Sequence, residues 1–185
     1  MKRLAILLVV CIVMCGCGGQ EDALSCGLSL REKMLSHGCS FTAEITADYG
    51  DKTYAFSMGC TADTDGTLKF IVTAPESIAG ISGTITKDAG YLTFDDAALA
   101  FPLLADGEAS PVSAPWILVN TLRSGYLSSA GMEDSCIRLT IHDSYEEDAL
   151  QLDIWLDEDE VPIQSDIIWQ GRRVLSVTVK DFTFV

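Results

Sequence analysis

The stretch Phe41-Thr-Ala-Glu-Ile-Thr-Ala-Asp-Tyr-Gly-Asp-Lys-Thr-Tyr-Ala-Phe-Ser-Met-Gly-Cys60 decides the fold class. Phe41, Ala43, Ile45, Ala47 and Tyr49 alternate with Thr42, Glu44, Thr46 and Asp48. Gly50-Asp51 then turns the chain, and Tyr54, Phe56, Met58 and Cys60 alternate on the way back. A period of two places every apolar side chain on one face of a strand, which predicts an antiparallel hairpin with one apolar and one polar face. Asp65-Gly66 is the next turn and leads into Leu68, Phe70, Val72 and Ala74, a third strand that Pro75 ends. Ile81, Gly83 and Ile85 make a fourth, with shorter candidates at Tyr91 to Phe94 and Ala98 to Phe101. The first half of the chain therefore reads as a meander.

Outward from this meander, the alternation stops between Pro102 and Gly131. Within that gap Ser113 is placed as an N-cap, Pro115 suits a first turn and Gly125 a stop, which predicts a helix with Trp116, Val119 and Leu122 on its apolar side. Four strands are predicted after it: Ile137 to Ile141, Leu150 to Leu156, Val161 to Trp169, and Leu175 to Val179 running on to Phe182 and Phe184. The apolar phase shifts between Val179 and Phe182, the mark of a bulge. On the N-terminal side, Ser29-Leu-Arg-Glu32 is a capping-box pattern. It predicts a short helix with a Leu30, Met34, Leu35 stripe, stopped by Gly38 in a left-handed conformation. Strands with one apolar face each must curl until those faces meet or cover something. The expected class is mainly β with two short helices: a curled antiparallel sheet, an unclosed half-barrel, with the helices covering its concave side.

The first residues give an address. Lys2 and Arg3 precede an apolar run from Leu4 to Met14, which ends at Cys15-Gly-Cys-Gly-Gly19. The run is shorter than the roughly 20 residues needed to span a bilayer, so it reads as an export leader and not as an anchor helix. Met14-Cys-Gly-Cys17 resembles the bacterial lipoprotein signal, in which a small residue precedes a Cys that is lipidated and becomes the mature N-terminus. That resemblance implies a signal peptide over 1–16 and an acyl anchor of the palmitate kind on Cys17. A lipidated tether over 17–24 and a single domain over 25–185 would follow, at the extracytoplasmic face of a bacterial cell membrane.

Composition narrows the function. The 185 residues carry 12 basic and 27 acidic side chains, a formal charge of -15. No basic patch is available to neutralise phosphates, which argues against nucleic acid. An anionic leaflet would repel the domain, so membrane attachment rests on the lipid. Four cysteines remain beyond Cys17: Cys26, Cys39, Cys60 and Cys136. An even number in an exported chain suggests disulfides, with Cys39–Cys60 and Cys26–Cys136 preferred among three pairings. Zinc is disfavoured by the absence of a Cys-x-x-Cys spacing near His37 or His142.

The carboxylates of Asp63-Thr-Asp65, Asp95-Asp96, Glu146-Glu-Asp148 and Asp157 to Glu160 read as solvated turns in preference to calcium loops. Glu44, Asp153 and Asp166 fall on outward positions and read as solvent-facing. His142-Asp-Ser144 lies along one strand end, where neighbours point to opposite faces, so adjacency makes no triad. With no nucleophile, dinucleotide or phosphate-loop motif, a non-enzyme without cofactor or metal is expected.

The order of elements, with strand-to-loop stretches such as Leu68-Lys-Phe-Ile-Val-Thr-Ala-Pro75 and Leu152-Asp-Ile-Trp-Leu-Asp-Glu-Asp-Glu-Val-Pro162, resembles the LolA/LolB-like lipoprotein-localisation fold. The resemblance implies an apolar cavity in the half-barrel that holds an acyl chain, another hydrophobic small molecule or a lipidated protein. The inward residues Phe41, Ile45, Phe56, Met58, Phe70, Ile85, Trp116, Leu122, Leu152 and Ile154 would line it. Ala43, Ala47 and Gly83 would leave room, while Trp155 and Ile168 could mark a partner surface. The alternative is an interaction or envelope structural module with a filled core and an acidic surface. A hollow interior is the property that separates the two.

Overall fold

A computed structural model describes residues 18–50, 52–94, 97–101, 104–105 and 108–185. The expected signal peptide, Cys17, and the Asp95-Asp96 pair lie outside the described residues. Helix α1 (Gly18–Ser36) leads into β1 (Cys39–Asp48), β2 (Thr53–Ala62), β3 (Leu68–Ala74), β4 (Ser82–Ile85), β5 (Gly90–Phe94) and β6 (Ala97–Phe101). The small hairpin β7 (Leu104–Ala105) and β8 (Glu108–Ala109) and a 3-10 turn (Pro111–Ser113) precede α2 (Ala114–Ser124). Strands β9 (Tyr126–Glu133), β10 (Cys136–His142), β11 (Gln151–Leu156), β12 (Pro162–Trp169) and β13 (Arg172–Phe184) complete the chain's described structure.

Eleven strands form one antiparallel sheet in the order β6-β5-β4-β3-β2-β1-β13-β12-β11-β10-β9. Its edges, β6 and β9, do not pair, so the sheet curls without closing. Each half is a meander of sequence neighbours, and β13 joins them by pairing with β1 on one side and β12 on the other. Ala43 faces Val179, Ile45 faces Val177 and Ala47 faces Leu175, a ladder that keeps every inward side chain on the concave face. The expected bulge is present. The β1–β13 register slips between Ser40 and Thr42, and Asp181 takes a positive φ of 53°, which returns Phe182 and Phe184 to the core side.

Four expectations are corrected. The helix does not begin at Ser29: α1 starts at Gly18, so the segment 18–24 expected as an extended tether is helical and Ser29 lies mid-helix. Ala23, Cys26, Leu30 and Met34 recur at helical spacing and are all buried, which gives the first two turns their own packing. Leu35, expected in that stripe, points out instead. Gly38 does not end α1 in a left-handed conformation. A Cβ there would meet the Ala62 carbonyl oxygen at 2.8 Å, so its role is to let the chain enter β1 flush against β2. Finally, five sheet strands follow α2, because β9 lies within the region where alternation stops. It is an edge strand whose eight residues are exposed or half-buried on both faces, and no period-two pattern is required of it.

The disulfides are also corrected, since Cys26, Cys39, Cys60 and Cys136 are free thiols. In the β1–β2 ladder Cys39 opposes Ala62 and Cys60 opposes Phe41, so the two cysteines are diagonal neighbours. Diagonal positions sit about 7–8 Å apart, beyond the Cα separation that a disulfide spans. Both are buried instead as small apolar groups. Burial pushes the Cys39 thiol up to about 11, and burial with the neighbouring Cys39 raises Cys60 further.

Both helices lie on the concave side. From Ala114 to Val119 every residue of α2 is buried, as are Thr121 and Leu122, the pattern of a helix sunk in a core. Guanidinium groups tie it down. Arg31 donates to the carbonyls of Leu122 (3.0 Å) and Gly125 (2.6 Å), and Arg123 to those of Met34 (2.5 Å) and Thr64. The bonds to Met34, Leu122 and Gly125 satisfy carbonyl oxygens that the two helix ends leave without intrahelical partners, and the bond to Thr64 ties α2 to the β2–β3 turn.

Candidate functional groove

The ten residues expected to line a cavity converge on one cluster, but that cluster is packed. Phe41, Ile45, Met58, Phe70, Ile85, Trp116, Leu122, Leu152 and Ile154 are at most 8% exposed, and Phe56 packs against them half-buried. Trp116 is pinned, its indole N–H donating to the Gly66 carbonyl at 3.1 Å. The room expected beside Gly83 is taken: a Cβ there would stand 2.6 Å from the Phe70 ring and 2.3 Å from the Tyr91 carbonyl oxygen. Ala43 and Ala47 are fully buried, so no open space lies over them. Around these residues the interior is packed, and a ligand there would have to displace side chains.

Open apolar surface gathers elsewhere. A groove of about 600 Å³ lies between α1, the end of α2, the start of β9 and the β10–β11 loop. Its apolar walls are Leu24 and Leu28 of α1, Tyr126 and Leu127 of β9, and Tyr145 of the loop. Four of these are strongly exposed: Leu24 43%, Leu28 53%, Tyr126 49% and Tyr145 85%. The volume falls within the range of small-molecule sites, roughly 300–1,000 Å³, and grouped exposed apolar side chains are what distinguish a binding surface from scattered ones.

Local sequence builds each wall. On α1 the positions Leu24 and Leu28 are one helical turn apart, on the side opposite the buried Ala23, Cys26, Leu30 and Met34, so the helix is apolar on two faces. The inner face seats α1 close to the sheet, and Leu127 is half-buried against the core at the groove's base. Tyr126 and Tyr145 approach with ring centroids 5.1 Å apart, inclined at 45°.

Polar groups sit at the groove's margins. Arg31 is held in the wall by its two carbonyl partners. Asp143 and Glu146 stand beside the tyrosines. The Asp143 carboxylate receives the Leu150 amide at 2.8 Å, while partial desolvation raises its pKa above the usual carboxylate range. Asp143 is thus a loop organiser within the His142-Asp-Ser144 run.

The convex face carries a different feature. Asp153 is 4% exposed, which corrects its reading as solvent-facing. It accepts from Arg138 (2.7 Å) and Thr140 (2.9 Å), and Arg138 in turn contacts Glu133 (2.9 Å) and stacks over Trp155 at 5.3 Å. Asp166, opposite Asp153 in the ladder, is covered by Arg173 and Ser176. Trp155, expected as a partner mark, is held in this network. Glu44 does face solvent, paired with Lys180 at 2.6 Å. Among the described residues no cluster of His, Cys, Asp and Glu is arranged to hold a metal, and no helix is long and apolar enough to cross a membrane.

The groove residues were not legible as a site. Leu24 fell in the expected tether and Tyr126 in the stretch without alternation. The available signal was the Leu24, Leu28, Leu35 spacing, a second apolar stripe visible once α1 is extended back to Gly18.

No protein-family model matches the sequence, and no relative was found among curated proteins. Solved structures do resemble it. A putative outer membrane lipoprotein-sorting protein domain from Vibrio parahaemolyticus superposes with a TM-score of 0.51 at 9% identity, covering 89% of this chain and 92% of that one. An uncharacterized conserved protein from Thermus thermophilus superposes with a TM-score of 0.50 at 11% identity, over 86% and 85% of the two chains. A LolA superfamily protein from Nitrosomonas europaea follows at 0.46 and 9%, over 86% and 93%. Likeness at these identities concerns architecture alone. With the open antiparallel sheet and its two covering helices, it shows that this chain shares the fold of the Vibrio lipoprotein-sorting domain structure.

Proposed function

We propose that this protein is an extracytoplasmic lipoprotein, anchored through Cys17, that binds an acyl chain or comparable apolar ligand without catalysing a reaction. The observation that carries the reading is the groove between α1 and β9, where open apolar side chains converge beside a core that is already full. The leader pattern ending at Cys17 supports the envelope address, as does the name of the Vibrio structure, a putative lipoprotein-sorting domain. Binding in the groove, outside the sheet's packed interior, needs no cavity beneath α2.

The test is native mass spectrometry of the exported chain carrying Cys17→Ser, with an organic extract of the same sample and titration with a fluorescent fatty acid. A discrete mass lost on denaturation and recovered as lipid, or saturable uptake that falls about tenfold or more in Leu28→Glu, is the expected result. A bare mass with no uptake overturns the reading and leaves the filled-core interaction module in its place.

A further inference from the structure

The chemistry of the groove's outer end narrows the ligand, on the premise that the groove is the apolar site. Three groups line one depression with separate preferences. Leu24, Leu28 and Leu127 offer a hydrocarbon wall. Arg31 offers a cation whose position is set by the Leu122 and Gly125 carbonyls, with no carboxylate within ion-pair distance of it among the described residues. Tyr126 and Tyr145 present two inclined rings, with the carboxylates of Asp143 and Glu146 on the same lining.

Inclined aromatic faces beside carboxylates favour an alkylammonium group: the ring quadrupoles attract the cation, the carboxylates complete its charge, and its methyl or methylene groups bury against the rings. A free fatty acid would instead bring its carboxylate against Asp143 and Glu146, in a chain whose net charge is already -15. We infer that the groove recognises a zwitterionic phospholipid, with the ammonium head against the exposed Tyr126–Tyr145 pair, the phosphate at Arg31 and the acyl chain along Leu24 and Leu28. Arg31 and the tyrosine pair line the same groove, as a ligand carrying both a phosphate and an ammonium charge requires.

The test uses the exported chain carrying Cys17→Ser and displacement of a bound fluorescent fatty acid. The competitors are lysophosphatidylcholine, lysophosphatidylglycerol and the plain fatty acid, all of one chain length and below their micellar concentrations. Lysophosphatidylcholine is expected to displace the probe at about tenfold lower concentration than lysophosphatidylglycerol. Tyr145→Ala and Asp143→Asn should each shrink that ratio severalfold. Equal displacement by all three competitors overturns the inference and leaves the apolar-groove reading intact, as does a preference untouched by either substitution. Failure of the wild-type chain to take up any probe overturns both. A doubled native mass that lysophosphatidylcholine does not reverse would give the groove to a second copy of the chain, and would overturn the inference.

Discussion

The two helices cover the same concave face in opposite ways. α2 is buried on every side from Ala114 to Val119, so its residues are core in the same sense as Ile154 or Val177. α1 buries one stripe and exposes another: Ala23, Cys26, Leu30 and Met34 inward, Leu24, Leu28 and Leu35 outward. In a small domain an apolar side chain left outside the core is free to serve a ligand, so the contrast gives α2 a structural role and fits the binding role proposed for the outer half of α1.

That division can be broken by substitution. Leu118→Ala in α2 removes a side chain that is 1% exposed, and a loss of about 2–5 kcal/mol is expected in urea unfolding. A loss under about 1 kcal/mol would mean that α2 is a movable lid and the interior is open after all. Arg123→Met unfastens α1 from α2 and from the β2–β3 turn by leaving the Met34 and Thr64 carbonyls without their donor. A cost of about 1–3 kcal/mol is expected, with amide exchange rising first in the last turn of α1. Equal acceleration throughout α2 would show that the two helices open as one unit. Leu24→Ser on the outer stripe should change stability by no more than about 0.5 kcal/mol while weakening fatty-acid uptake. A large stability loss there would return the outer stripe to a structural role.

The sequence made the hairpins legible because a period of two with one buried face leaves little alternative, and the slip at Phe182 could be read from phase alone. It left β9 hidden, since an edge strand with no fully buried residue keeps no strict pattern. α1 was read short because Ser29-Leu-Arg-Glu32 satisfies a capping box in sequence while, in space, Leu30 and Met34 continue a stripe begun at Ala23. The inward residues were placed on the correct face. What periodicity could not convey is whether that face meets ligand or protein, because a half-barrel lined by Phe41, Met58 and Leu152 looks the same in sequence whether a helix fills it or a lipid does. Cys39 and Cys60 show the same limit in miniature: face and neighbourhood were correct, and a two-residue offset in register separates a diagonal contact from a bridge.

The place of β13 in the sheet has a consequence for biogenesis. Residues 172–184 are the seam between two meanders, yet they follow every other described strand in the chain. Until they emerge, β1 and β12 each present an unpaired edge and the concave face has no middle. Pairings such as Ala43 with Val179 must close loops of well over a hundred residues, which makes folding slow and late. If the chain is exported as proposed, this delay is useful: the last described strand completes the fold, and threading can begin before there is a folded domain to obstruct it.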